Sequence, residues 1–170
     1  MKTYQVAAVI HSTPENIFQQ LDDFSKTGMH MSQNSMMMMG SKLKLEQLSK
    51  EATGLGAKYR WSGKLLGMCI DFSEVVTKWQ PPFLKEWETF GEAKMIIMSW
   101  YCLRFGLIQN EKGTIASLSI SFLPPKQFSY KIFSFLFAKI YCYWCLRNML
   151  NSCKKLLENG YSYKIENGIL

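Results

Sequence analysis

The chain has 170 residues, of which 48% are hydrophobic and 14% aromatic, with 20 basic and 13 acidic side chains and a net charge of +7. That length suits one domain with a sizeable core, and the hydrophobic share is ordinary for a globular protein. The positive balance suits an anionic partner or membrane surface as well as simple solubility, but the lysines are scattered and no basic stripe or stacking motif points to nucleic acid.

Thr3 to His11 reads as a strand. Ser12 or Thr13 then caps a helix with Pro14 in its first turn, Glu15 behind it, and Ile17, Phe18 and Leu21 on its apolar face. Asp22-Asp23 ends this helix or begins a second short one reaching Thr27. Residues 28–42, GMHMSQNSMMMMGSK, form a loop of unusual composition. Lys42 to Ser49 alternates in hydrophobicity and predicts a second strand. Three further strands follow at about Ala57–Leu65, Met68–Trp79 and Phe83–Phe90, joined at Gly63–Gly67 and at Pro81-Pro82. The apolar stretch Lys94–Leu107 predicts one long strand, and Thr114–Leu123 the last, ended by Pro124-Pro125. Gln127 to Asn159 has no internal Gly or Pro and predicts the longest helix, with Gly160 as its stop and residues 161–170 as a loose tail.

Several motifs invite a sharper reading. Residues 128–150 are long enough for a membrane span, but Lys131, Lys139 and Arg147 would be costly within a lone one. A helix gripped by a sheet and lining a cavity suits the sequence better, with Phe133, Phe135, Phe137 and Trp144 partly free to face a membrane or partner. Met29, His30, Met31 and Met36–Met39 offer ligands suited to Cu(I), yet the methionines are adjacent rather than repeated in spaced motifs, which favours packing at a cavity rim. Cys142 and Cys145 have a redox-pair spacing but sit in mid-helix; zinc would need two more ligands, and the only histidines are His11 and His30. Five cysteines is an odd number without disulfide-rich spacing, which suits reduced thiols in the cytoplasm. The apolar run Val6–Ile10 is too short for a secretory signal.

The candidate acid–base groups on strands are Arg60, Asp71, Glu74, Glu86, Glu88 and Arg104. Glu86 and Glu88 share a strand face opposite Trp87, as solvent-facing residues of an antiparallel sheet would. No GxSxG, HExxH or phosphate-binding glycine loop is present.

Gly56, Tyr59, Trp61, Gly63, Gly67, Glu74, Val76, Trp79, Pro81, Pro82 and Gly91 occur in an order that resembles the START-like (SRPBCC) superfamily, closest to its polyketide cyclase/dehydrase and lipid-transport group. Residues 9–23 resemble the strand and Pro-Glu helix start of the same family. The resemblance implies an α+β helix-grip fold: a seven-stranded antiparallel curved sheet around a long C-terminal helix, with two short helices after the first strand. It implies one domain over residues 1–160 with a tail at 161–170, sheet corners near Gly63 and Gly67, and a binding or transport role. An aromatase/cyclase-like enzyme is the alternative. The expected cavity lining is Tyr59, Trp61, Phe72, Trp87, Trp100, Met36, Ile132, Leu136 and Ile140. Because these inward candidates are mostly apolar, a carrier of a lipid-, quinone- or polyketide-like molecule is expected over an enzyme, with no catalytic residue assigned. No cofactor, metal or nucleic acid is expected, and the partners are a hydrophobic small molecule and, transiently, an anionic membrane surface.

Metal analysis of protein purified without added ions should find no stoichiometric zinc or copper. Thiol titration under denaturing, non-reducing conditions should return all five cysteines. Stoichiometric copper would turn the Met-rich segment into a ligand site.

Overall fold

The computed structural model describes residues 1–23, 43–65 and 68–166. The elements are β1 (Lys2–Ile10), α1 (Pro14–Asp22), β2 (Leu43–Gln47), β3 (Lys58–Leu65), β4 (Met68–Gln80), β5 (Leu84–Lys94), β6 (Trp100–Asn110), β7 (Gly113–Leu123) and a long helix, α2 (Phe128–Glu166). The second short helix expected to reach Thr27, the Met-rich segment 28–42 and Gly67 lie outside the described residues.

The seven strands form one sheet in the order β1-β7-β6-β5-β4-β3-β2, with every neighbouring pair antiparallel. Strands β2 to β7 are a continuous meander, and β1 closes the order beside β7. Alternation decides which side chains turn inward. Ile70, Phe72, Glu74 and Val76 of β4 are buried, as are Lys85, Trp87 and Thr89 of β5. Strand β7 buries every second residue from Thr114 to Phe122. The outer face carries ion pairs instead: Arg60 with Asp71 at 2.7 Å and Lys78 with Glu86 at 3.0 Å. Glu86 therefore faces outward, as its phase opposite Trp87 predicted.

Helix α1 starts as its sequence suggests. Thr13 Oγ1 accepts from the Asn16 backbone N–H and Pro14 opens the first turn. Its apolar face seats Phe18 edge-on against Phe105, with ring centroids 5.2 Å apart. Helix α2 buries Ser134, Ala138, Cys142, Leu146, Met149, Leu150 and Cys153, one stripe at intervals of three and four residues. Its backbone comes close mainly to β1, β7 and α1. The C-terminal half is tied down by Lys154 Nζ donating to Val9 O at 3.3 Å and by His11 Nδ1 at 3.0 Å from Glu158 Oε1.

Three expectations need correction. The helix does not stop at Gly160 but continues to Glu166, so most of residues 161–170 is helical backbone rather than a loose tail. One glycine lowers helix propensity by only about 1 kcal/mol, which a long helix tolerates. Residues 94–107 are not one strand: β5 runs on to Lys94, residues 95–99 make a bend, and β6 begins at Trp100. Ile96 and Met98 are nevertheless buried, so their hydrophobicity reflects core packing and not strand pairing. The pairing irregularities that help a sheet bend lie between β4 and β5, at Asp71/Ser73 and Val76/Lys78, and β3 pairs with β4 in unbroken register through Gly63. Gly91, with φ of +70°, sits in the first of these irregularities.

Gly113 begins β7 at φ +130°, and a Cβ there would stand 2.5 Å from Ile10 O. Gly91 has positive φ but open space where a methyl group would stand. Gly113→Ala should therefore lower stability by about 1–3 kcal/mol from strain plus a backbone clash, while Gly91→Ala carries only the left-handed penalty of about 1–2 kcal/mol. Urea unfolding of both variants should rank Gly113→Ala as the more damaging, and equal losses would contradict the close approach of β7 to the end of β1.

Candidate ligand-binding interior

The inner faces of β3 to β6 place aromatic side chains around one carboxyl and one ammonium group. Tyr59 and Trp61 come from β3, Phe72 and Glu74 from β4, Lys85 and Trp87 from β5, and Tyr101 from β6, all buried. Register makes them neighbours: Trp61 pairs with Phe72, Tyr59 with Glu74, and Val76 with Trp87. Phe72 meets the Tyr101 ring at 6.0 Å and Trp87 meets Phe105 at 6.3 Å, both nearly perpendicular.

Glu74 is 3% exposed. Its Oε2 accepts from Trp61 Nε1 at 2.7 Å, and its Oε1 accepts from the Tyr101 hydroxyl. Trp87 also donates to this carboxyl. Burial nevertheless raises the Glu74 pKa, because removing a carboxylate from water outweighs the help of its donors and of the Lys85 charge. Tyr101 is raised in turn, first by burial and then by Glu74.

Lys85 is fully buried. Its Nζ lies 2.7 Å from Asp22 Oδ1 at the end of α1 and donates to Asp22 O at 2.7 Å. The ammonium also stands 5.3 Å above the Trp87 ring. Trp79 Nε1 donates to Asp22 Oδ2 at 3.2 Å, so one carboxylate serves an ammonium and an indole. Burial lowers the Lys85 pKa against the pull of Asp22. Tyr59 is pushed up to about 12, by burial first and by Asp22 next. A polar strip thus runs through an aromatic wall, from Asp22 and Lys85 to Glu74 and Tyr101.

Helix α2 closes the far side. Tyr141 and Cys145 both bear on the Tyr101 phenol, and they are hydrogen-bonded to each other. The thiols of Cys142, Cys145 and Cys153 are each pushed up to about 12, with burial the leading cause, which makes them poor nucleophiles and poor metal ligands at neutral pH. All five cysteines are unpaired. Among the described residues no cluster of His, Cys, Asp and Glu could hold a metal ion. Two open depressions, of about 430 and 350 Å³, lie on the outer face of the sheet beside Arg104 and beside the Arg60–Asp71 pair.

Of the residues expected to line a cavity, Tyr59, Trp61, Phe72 and Trp87 share the inner wall. Met36 lies outside the described residues. Trp100 is half-buried in the opposite phase, paired with the exposed Leu123, and Tyr101 takes the inward place. Ile132, Leu136 and Ile140 are 50%, 58% and 64% exposed. The inward positions are Ser134, Ala138 and Cys142, two residues along, which is about 200° round a helix. The inward groups are mostly apolar, as expected, but Glu74 and Lys85 are inside with them. Their signal was alternation: Glu74 lies between the inward Phe72 and Val76, and Lys85 two residues before the inward Trp87.

No protein-family model matches the chain, and no curated protein matches it. Solved structures do. Protein CV1439 from Chromobacterium violaceum is similar at 13% identity and TM-score 0.64, over 93% of this chain and 99% of that one. Ara h 8.0201 is similar at 10% identity and TM-score 0.59, over 93% and 98%. The di-domain ARO/CYC protein BexL, of the BE-7585A biosynthetic pathway, is similar at 13% identity and TM-score 0.64; the match covers 91% of this chain and 49% of BexL. At these identities the likeness is one of fold alone, and the fold is a helix-grip fold, an antiparallel seven-stranded sheet with a long C-terminal helix.

The raised Glu74 pKa has a direct consequence for stability. Between the ordinary carboxyl value of about 4.3 and its raised native value, the folded protein holds a proton that the unfolded chain has released. This group's contribution to stability therefore falls as pH rises through that window and stays low above it. Glu74→Gln removes the buried charge but keeps an acceptor for Trp61. Relative to wild type it should gain stability above the ordinary carboxyl range, with the gain shrinking toward about pH 4. Urea unfolding across pH measures this, and a loss that grows with pH would contradict the raised pKa.

Proposed function

We propose that the protein is a carrier or binding protein for an apolar or amphipathic small molecule held between the inner wall and α2. One observation carries the reading most: α2 keeps its backbone close mainly to β1, β7 and α1, while the bulky inward side chains of β3 to β5 face it from strands it does not approach closely. An aromatic wall with a few placed polar groups is the usual chemistry of such sites. Apolar burial would supply affinity at about 25 cal/mol per Å², before ordering costs. The internally paired strip of Glu74, Tyr101 and Lys85 would shape the wall, leaving a lipid-, quinone- or polyketide-like ligand held chiefly by apolar contact.

The rival reading is an aromatase/cyclase-like enzyme, and Glu74 is the observation that favours it. A buried carboxyl with a raised pKa, beside a tyrosine hydroxyl, is the kind of group that exchanges a proton with a bound ligand. BexL carries ARO/CYC in its name and shares the fold. We favour the carrier because the polar strip is internally paired. Asp22 holds Lys85, and three donors already serve Glu74. A carrier of this kind fits a cytoplasmic protein that meets membranes only at their surface. Among the described residues no helix is long and apolar enough to cross one.

Native mass spectrometry of gently purified protein should show a co-purifying small molecule that solvent extraction releases. Re-adding the extract to stripped protein should return that molecule unchanged. The environment-sensitive dye anilinonaphthalene sulfonate should bind the stripped form with energy transfer from tryptophan, and Trp61→Phe with Trp87→Phe should cut that transfer at least about threefold. Conversion of the extracted molecule, lost in Glu74→Gln, would favour the enzyme. Stripped protein that binds neither extract nor dye would defeat both readings.

A further inference from the structure

The first half of α2 leaves a hydrophobic face uncovered. Phe128, Ile132, Phe135, Leu136 and Ile140 are 77%, 50%, 75%, 58% and 64% exposed. Their spacing of i, i+4, i+7, i+8 and i+12 puts them on one side of the helix. A contiguous apolar patch of this kind is a contact surface in most proteins that carry one. Its stripe differs from the buried one through Ser134, Ala138 and Cys142, so burial against the sheet does not account for it.

Charge identifies the occupant. Lys131 and Lys139 are exposed along the same half of the helix, Lys126 is exposed just ahead of it, and Lys2 Nζ sits 5.2 Å from the Phe135 ring. From Pro124 to Leu157 the sequence has six basic residues and no acidic one. The first acid beyond, Glu158, is occupied by His11 and Lys154 in the docked half. A second copy of this chain would bring like charges together across such a face. An anionic lipid surface would meet the cations with phosphate and carboxylate groups and the aromatic and aliphatic side chains with acyl chains.

We propose that this face of α2, from Phe128 to Ile140, docks the protein on anionic membranes, with the helix lying in the interfacial plane. The apolar side chains enter the headgroup–acyl boundary and the lysines remain among the headgroups. Docking therefore has two separable parts. The ionic part falls with salt, and the apolar part persists. The carrier reading gives this contact a purpose, the exchange of cargo, but vesicle binding is measured without any cargo, so either can fail alone.

Flotation with vesicles of phosphatidylcholine alone, and of equal parts phosphatidylcholine and phosphatidylserine, tests it at low and high salt. Wild type should float with the mixed vesicles, more weakly but detectably at high salt, and not with phosphatidylcholine alone. Phe135→Ser with Ile140→Ser should reduce partitioning at least about tenfold at both salt levels, with an unchanged melting temperature because both positions are exposed. Lys131→Gln with Lys139→Gln should weaken binding at low salt and flatten its salt dependence; this pair tests the face even if the first variant folds poorly. Wild type that ignores mixed vesicles, or that binds neutral and anionic vesicles equally, would overturn the proposal. So would flotation of both variants like wild type. A concentration-dependent dimer that Phe135→Ser with Ile140→Ser dissociates would assign the face to a second copy instead.

Discussion

The alternation of side chains along an antiparallel strand is the constraint on which the rest depends. Once Trp87 faces inward, Lys85 and Thr89 must face inward too, and once Phe72 and Val76 do, so must Glu74. The fold therefore has to accommodate an ammonium and a carboxyl beneath a sheet. It does so by giving each its own partners. Asp22 reaches Lys85 from the end of α1, and Trp61, Trp87 and Tyr101 converge on Glu74. A buried ion pair of this kind adds little net stability over an apolar equivalent, but breaking one partner leaves the other uncompensated. The short helix α1 is thus tied to the sheet by charge as well as by Phe18.

The position of α2 follows from the same economy of contacts. Where it meets the sheet it presents Ser134, Ala138 and Cys142, small residues that allow close approach to β1 and β7. Larger side chains, Leu146, Met149 and Leu150, fill the docked half. The helix is consequently anchored at one end and apolar on its outer side at the other, and the two halves have different work. The C-terminal half completes the core, and the first half buries Ser134, Ala138 and Cys142 on one side while it presents Phe128, Phe135 and Ile140 outward. Both a cargo space and a docking face can therefore belong to a single element.

Much of the architecture was legible in the residues. Alternating hydrophobicity, the Pro81-Pro82 and Pro124-Pro125 stops and the Thr13-Pro14 cap place most elements to within a residue or two. The break at residues 95–99 was not legible, because Ile96 and Met98 are buried without strand pairing, and hydrophobicity reports burial rather than hydrogen bonding. Four inner-wall aromatics were legible for the reason that alternation is rigid. Trp100 was not, since Trp100 and Tyr101 are adjacent aromatics and only the pairing with β7 separates their phases. The inward face of α2 was hidden by composition: its first half is apolar nearly all round, so periodicity selects no side. Glu74 stood out as a candidate acid–base group without its inward place being assigned, and Lys85 was hidden because charges usually face water.

The central claim is that the aromatic wall around Glu74 and Lys85 is where a ligand sits. Indole N–H resonances of nitrogen-labelled protein during titration with anilinonaphthalene sulfonate test it most directly, because Trp61 donates to Glu74 while Trp100 stands in the opposite phase. The account predicts that the Trp61 and Trp87 signals move together with saturation while Trp100 stays in place. Movement confined to Trp100, with Trp61 and Trp87 unchanged at saturating dye, would place the ligand outside the sheet and contradict it.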